Sequence, residues 1–178
     1  MRREIEAALD ALLDRPDERE QIEARIEADF GRERAVLILD MSGFTRETRV
    51  HGIVSYLALL REAWRTAKPS VEARGGSVVK TEADNLFCVF EGVQAAVDAA
   101  LELSGDHDAG IGIGYGRVLD AGDDVWGDEV NLASKLAEDL AVTGTVLLTE
   151  AAFAEIEHEC EERLASISGL ELRYYALS

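Results

Sequence analysis

Gly75-Gly76-Ser77-Val78-Val79-Lys80-Thr81-Glu82-Ala83-Asp84-Asn85-Leu86-Phe87-Cys88-Val89-Phe90 reads as a hairpin. The glycine pair turns the chain, and Ser77 to Lys80 and Asn85 to Phe90 form two short strands around a tight polar turn. Upstream, Ile53, Leu57, Leu60 and Trp64 mark one face of a helix predicted to stop before Pro69, because the residue ahead of a proline disfavours helical backbone. Before that helix, Ala35-Val36-Leu37-Ile38-Leu39 is a wholly apolar strand. Downstream, Val93, Val97, Ala100 and Leu101 give a second helix.

The next strand, Gly110 to Leu119, has Gly110, Gly112, Gly114 and Gly116 at a period of two, so glycines line one face and Ile111, Ile113 and Tyr115 the other. The spacing is not that of a dinucleotide-binding loop, and a glycine face instead lets another backbone or a helix approach closely. Strand, helix, hairpin, helix, strand is the order of a ferredoxin-like sheet. A further helix (Val130, Ala133, Leu136, Leu140), a strand from Thr145 to Leu148, a helix begun by Thr149-Glu150 and a final alternating strand (Leu170, Leu172, Tyr174, Ala176) complete the chain. The expected class is α+β, an antiparallel ferredoxin-like sheet with flanking helices.

Residues 1–34 read as an acidic helical extension, two short helices broken at Pro16, with Ile5, Leu9, Leu12 and Leu13 on one face and Ile22, Ile26 and Phe30 on another. Residues 35–178 read as one domain; 178 residues at 47% hydrophobic content suffice for a single core. The formal net charge of −18 repels nucleic acid polymers and anionic lipid, so neither is an expected partner. No apolar run approaches the roughly 20 residues of a membrane span, and the N-terminus lacks a signal-peptide segment, so the expected location is cytoplasmic and off the membrane. Cys88 reads as a strand core residue and Cys160 as a residue of an acidic helix, without metal-ligand spacing.

Asp40 closes the apolar run at Leu39, and Asp84 precedes a second apolar run. A carboxylate at the end of a buried strand is costly unless its charge is compensated, and two of them at one sheet edge suit divalent cations with oxygen ligands. Such cations accompany nucleoside triphosphates. For either aspartate alone, capping of the next turn or helix is the simpler account.

Four segments in order, Leu39-Asp40-Met41-Ser42-Gly43-Phe44-Thr45, Lys80-Thr81-Glu82-Ala83-Asp84, Gly114-Tyr115-Gly116-Arg117-Val118 and Asp124-Val125-Trp126-Gly127-Asp128-Glu129-Val130-Asn131-Leu132-Ala133-Ser134-Lys135, resemble the core motifs of class III adenylyl/guanylyl cyclases. The resemblance covers about residues 34 to 178, and its last segment is the most specific. It implies that Asp40 and Asp84, with the main-chain carbonyl of Met41, hold two Mg²⁺ or Mn²⁺ ions. It also implies that Lys80 and Asp124 bind the purine edge, and that Asn131 orients the ribose. A cationic donor with a carboxylate acceptor fits adenine and mismatches guanine, which makes ATP the expected substrate.

Departures accompany the match. Lys135 stands where the family usually has an arginine that stabilises the transition state, and a lysine offers a point charge in place of a planar fork. Ser168 stands where many members carry a phosphate-binding lysine, Leu119 to Asp123 is short against the usual hairpin, and Ala83 replaces the glycine before the second aspartate. The function implied is conversion of ATP to 3′,5′-cyclic AMP and pyrophosphate at a homodimer interface, with the metal aspartates from one protomer and the base and ribose residues from the other. The alternative is a catalytically weak or inactive module that binds nucleotide or dimerises and signals to a regulatory protein through its N-terminal helices. A polymerase-like palm shares the paired acids, but Gly127-Asp128-Glu129 lies at a helix start and not in the central hairpin.

Overall fold

A computed structural model describes residues 2–41, 44–167 and 169–177. Helices α1 (Arg2–Asp14) and α2 (Arg19–Phe30) are joined by a short 3₁₀ turn at Pro16–Glu18, and strand β1 (Gly31–Met41) follows directly. Then come α3 (Phe44–His51), α4 (Ile53–Ala73), β2 (Ser77–Glu82), β3 (Asn85–Phe90), α5 (Val93–Asp106) and β4 (Ala109–Asp120). The chain closes with β5 (Val125–Trp126), α6 (Asp128–Lys135), β6 (Val146–Thr149), α7 (Glu150–Phe153), β7 (Cys160–Ile167) and β8 (Leu170–Leu177). The sheet order is β2-β3-β1-β4-β6-β8-β7, with β5 paired to β4. Its first four strands have the ferredoxin-like order and are antiparallel, whereas β6 runs parallel to β4.

Alternation along β1 splits the core. Ala35, Leu37 and Leu39 face α4 and α5, where Tyr56, Leu60, Ala63, Ala67, Val71, Val97 and Leu103 join the largest buried cluster. Val36 and Ile38 face α6, meeting Val130, Ala133 and Ala137. Burial of this kind stabilises by about 25 cal/mol per Å² of apolar surface, and it makes β1 the spine of the fold.

The glycine strand shows why α6 sits so close. A Cβ at Gly114 would lie 2.5 Å from the Glu129 carbonyl, one at Gly112 would overlap that of Ala133, and one at Gly110 would lie 3.1 Å from that of Ala137. Four residues of helix rise about 6 Å, and two residues of strand advance about 6.7 Å, so each alternate glycine meets the next turn of the helix. The helix runs antiparallel to β4 with nothing but hydrogen between the two backbones.

Several expectations are corrected. Strand β1 starts at Gly31, four residues ahead of the apolar run: Gly31 to Arg34 pair with Leu119 to Gly116, and the exposed charges of Arg32 and Glu33 hide the strand from a hydrophobicity reading. Helix α4 does not stop before Pro69 but runs through it to Ala73, held by buried Ala67 and Val71 on either side. Its buried face is Tyr56, Leu60, Ala63, Ala67 and Val71, which leaves Ile53 and Leu57 exposed. Cys160 begins strand β7 and not an acidic helix; the glutamates around it project from a strand that pairs with β8 from Cys160↔Leu177 to Ile167↔Leu170. The N-terminal helices pack Ile5, Ile22, Ile26 and Phe30 against Ala121 and Leu119 beside β4. No helix among the described residues is long and apolar enough to cross a membrane.

Candidate active site

Asp40 pairs with Asn85 across β1 and β3, and the Met41 main-chain N–H donates to the Asp84 carbonyl at 3.1 Å. This places both aspartates at one end of adjacent strands. Helix α6 ends in a π turn, Leu136–Leu140, in which Ala141 N–H reaches back to the Leu136 carbonyl at 2.8 Å. Glu138 projects from it and accepts a hydrogen bond from Asn85 Nδ2 at 2.8 Å. The charge of Asp84 reaches both Asp40 and Glu138. Burial, then the charge of Asp84, then that of Glu138 push the Asp40 carboxyl up from 3.8 to about 6. Glu138 is also raised, by burial, then by neighbouring Asp139, with the Asn85 hydrogen bond opposing. Asn85 Oδ1 is buried and makes no hydrogen bond. Among the described residues no group of three or more His, Cys, Asp or Glu side chains is arranged to hold a metal ion by itself.

A cleft of about 490 Å³ opens beside this acid edge, lined by Lys80, Glu82, Phe87, Trp126, Asn131 and Glu138 among others. Lys80 Nζ stands 2.9 Å from Asp124 Oδ1 and 3.1 Å from Glu82 Oε2, and 4.6 Å from the centroid of the Phe87 ring. Asp124 is only 4% exposed, and its Oδ1 also accepts the Val125 main-chain N–H at 2.9 Å. Burial alone would lower the Lys80 pKa, but hydrogen bonds and charge from Asp124 and Glu82 carry it above the ordinary lysine value. The ammonium is therefore permanent at neutral pH and its position is set by two carboxylates.

The structure thus brings Lys80 and Asn131 to one cleft, with buried Asp124 in contact with Lys80, and places Asp40, Met41 and Asp84 near its acid edge. Lys135 lies one turn after Asn131 on α6, a spacing that puts both on the same helical face. Arg117, another cation near the motif, is engaged with Glu27 of α2 at 3.1 Å. Ser42, Gly43 and Ser168 lie outside the described residues. Sequence reasoning did not single out Glu82, Trp126 or Glu138. Trp126 stood inside the quoted motif as an exposed aromatic, whereas Glu138 reaches the acid edge through a π turn that leaves no mark in hydrophobic periodicity. A larger hollow, about 580 Å³, separates α1 from α2. Its rim residue Arg15 is bridged to Glu18 of the 3₁₀ turn and Arg25 to Asp29 along α2, so size alone does not mark it as the site of chemistry.

No protein-family model matches the chain. The sequence is 33% identical over 162 residues to an adenylate cyclase of Streptomyces coelicolor, covering 86% of this chain; the chain spans 40% of that relative's length. The fold superposes on the crystal structure of the adenylyl cyclase CyaB from P. aeruginosa with a TM-score of 0.73 at 18% identity, covering 83% of this chain and 94% of that one. It also superposes on an adenylate/guanylate cyclase/hydrolase from Silicibacter pomeroyi, with a TM-score of 0.69 at 21% identity, covering 83% and 96% of the two chains. With the motifs in the same order along the same fold, the chain belongs to the class III adenylyl/guanylyl cyclase catalytic-domain family.

Proposed function

We propose that this chain is an adenylate cyclase domain that converts ATP to 3′,5′-cyclic AMP and pyrophosphate. The observation that carries the reading is the Lys80–Asp124 pair, 2.9 Å apart, in which Lys80 lines the same cleft as Asn131 and Asp124 is the buried partner. An ammonium and a buried carboxylate held side by side offer a donor to purine N1 and an acceptor to the 6-amino group. Guanine presents a donor and a carbonyl at those places, so it leaves both protein groups mismatched. Asn131 orients the ribose from the same cleft, and Lys135 meets charge developing on the phosphates.

The acid edge fits divalent cations by its donor chemistry. Asp40 is pushed towards protonation by burial first and then by the charges of Asp84 and Glu138, so a cation would offset both the lost solvation and the repulsion. Asp40, Asp84 and the Met41 carbonyl would hold two Mg²⁺ or Mn²⁺ ions, which when bound activate the ribose 3′-hydroxyl and neutralise the phosphates. The remaining work belongs to the protein: gripping the base, aligning the sugar and fixing the acids.

The working unit is a homodimer in which one protomer's acid edge faces its partner's cleft. The face suited to such pairing is apolar and exposed. Val50, Ile53, Val54 and Leu57 lie on α3 and α4, which follow β1 from the Asp40 end, and Val54 is 78% exposed. A second reading, a cyclase-like module that binds nucleotide without turnover, is favoured by Lys135, whose point charge is a poorer match to a phosphate than a fork. One experiment separates the two. The purified protein is incubated with ATP or GTP and Mg²⁺ or Mn²⁺, and products are identified by mass. Cyclic AMP from ATP supports the cyclase; nucleotide binding without product supports the module, and neither binding nor product overturns both.

A further inference from the structure

Helix α6 presents Asn131 to the cleft while its opposite side rests on the glycines of β4, and one side chain ties the start of the helix to its surroundings. Glu129 is half-buried, and its Oε2 accepts two hydrogen bonds, from the Tyr115 main-chain N–H at 3.0 Å and from the Thr149 hydroxyl at 2.6 Å. Thr149 is buried and also caps α7, its Oγ1 accepting the Ala152 N–H at 3.2 Å. The parallel ladder between β4 and β6 covers Ile111 to Ile113. Tyr115 lies one step beyond it, and there the Glu129 carboxylate takes the place of the next strand carbonyl. A Cβ at Gly114 would stand 2.9 Å from Oε2, so the seat depends on glycine at that position. One carboxylate oxygen therefore joins β4, the end of β6 and the cap of α7 to the first turn of α6.

We infer that Glu129 is a positioning residue for the nucleotide cleft: it fixes the first turn of α6 and through it the reach of Asn131. The inference rests on the reading of that cleft given above. Asn131 follows Glu129 by two residues and makes an early main-chain bond of the helix, its N–H donating to the Gly127 carbonyl at 3.2 Å. Trp126 and Gly127 precede the same turn. Without the Glu129 anchor, the Tyr115 N–H and the Thr149 hydroxyl each lose a charge-assisted partner in a half-buried site, and the start of α6 is held only by packing. A small displacement of a substrate-positioning group acts on the chemical step more than on binding.

The test uses a Trp64→Phe background, in which Trp126 is the sole tryptophan, and compares Glu129→Gln, Glu129→Ala and Thr149→Val with the parent. A glutamine oxygen can accept both hydrogen bonds, so Glu129→Gln should keep kcat within about twofold and leave Trp126 emission unchanged. Glu129→Ala should shift Trp126 emission and lower kcat with ATP about tenfold or more, with KM within about twofold. A folded Glu129→Ala protein with parental kcat and parental Trp126 emission overturns the inference, as does a glutamine variant as impaired as the alanine one. Should Glu129→Ala fail to fold, Thr149→Val removes one donor and keeps the Tyr115 bond; a partial loss of kcat restored by Thr149→Ser supports the role, and parental kcat overturns it. If the parent turns over no nucleotide, the cyclase reading fails separately, and amide exchange at Asn131 decides. Faster exchange in Glu129→Ala but not in Glu129→Gln supports positioning, while equal protection in all three overturns it.

Discussion

The two halves of the site differ in how their charge is balanced. In the base half, Lys80 is held by Asp124 and Glu82, Asp124 is further held by a main-chain N–H, and each charge has its counter-charge within the fold. In the acid half, Asp40, Asp84 and Glu138 carry like charge close together, and among the described residues the Asn85 amide donates to Glu138 alone. A buried charge that finds its partner inside the protein is already organised for recognition; one that meets only like charges remains incomplete until a cation arrives. The contrast teaches that the base half is charge-balanced within the fold, while the acid half is not, which is what the proposed cation site requires.

The largest effect that would sharpen this contrast is on turnover. Asp40→Asn removes a proposed cation ligand without changing side-chain size, and kcat should fall by about a thousandfold or more, the range for losing a group that stabilises developing charge. Calorimetry with Mn²⁺ should show the matching loss of binding; unchanged Mn²⁺ binding would break the assignment. Asn131→Ala should be similarly inactive by itself. Mixed, the two variants should regain about a quarter of the parental activity, because half of randomly formed dimers would contain one intact site of two. Exchange confirmed by differential tags with no recovery would show that the site is not shared.

Next in size is the cost of unbalancing the base half. Lys80→Met removes the ammonium counter-charge of the buried Asp124 carboxylate, and stability at pH 7 should drop by about 3 kcal/mol, read by urea denaturation. Preference for ATP over GTP should shrink by about 1–3 kcal/mol in the same variant. A protein as stable and as selective as the parent would mean that the ion pair is incidental.

How much of this was legible beforehand depends on what carries the signal. The hairpin, the glycine face and Thr149 as a helix cap were readable because a period of two and a capping residue are local properties of the chain. The continuation of α4 through Pro69 was not: it is decided by Ala67 and Val71 finding a core that no local rule reveals. Strand β7 was missed because its glutamates lie on an exposed strand with little apolar alternation, and only pairing with β8 makes it a strand. Within the site, Lys80, Asp124 and Asn131 were nominated through motif order; the fold sets Lys80 and Asn131 in one cleft and Asp124 against Lys80, which leaves their roles to the experiments above. Glu138 and Glu129 act through a π turn and a strand end, three-dimensional features that no spacing encodes.

The acid half also makes a pH demand with a definite sign. The folded Asp40 carboxyl titrates near 6 against 3.8 for the free group, so the folded state binds the proton more tightly than the unfolded one. Stability from this group is therefore fully present below pH 3.8 and is lost as pH rises through about 6. A shift of this size is worth about 3 kcal/mol at full strength, and solvent screening at this half-buried position reduces it to about 1 kcal/mol. In chelator-treated protein, Asp40→Asn should accordingly be more stable than the parent at pH 7.5 by about 1 kcal/mol, with the difference vanishing near pH 3.5. Equal melting temperatures of parent and variant at both pH values would show that neither burial nor like charge strains the Asp40 carboxylate.

The smallest effect concerns the turn that joins the halves. Ala83 sits between Lys80 of the base half and Asp84 of the acid half, and its φ is +51°, in the left-handed region. That conformation brings a Cβ too close to the following carbonyl and costs an alanine about 1 kcal/mol, whereas glycine adopts it freely. Part of the gain from substitution is offset, because a glycine also loses more backbone freedom on folding. Ala83→Gly should therefore stabilise the protein by about 0.5 kcal/mol, a small upward step in melting temperature. The comparison of halves adds a second expectation. Relaxing this residue frees Asp84 from a strained neighbour without touching Lys80, Asp124 or Glu82, so ATP-over-GTP preference should stay at the parental value while Mn²⁺ affinity changes. A change in base preference with unaltered Mn²⁺ binding would show that the turn serves the base half, and the division of the site would have to be redrawn at Ala83.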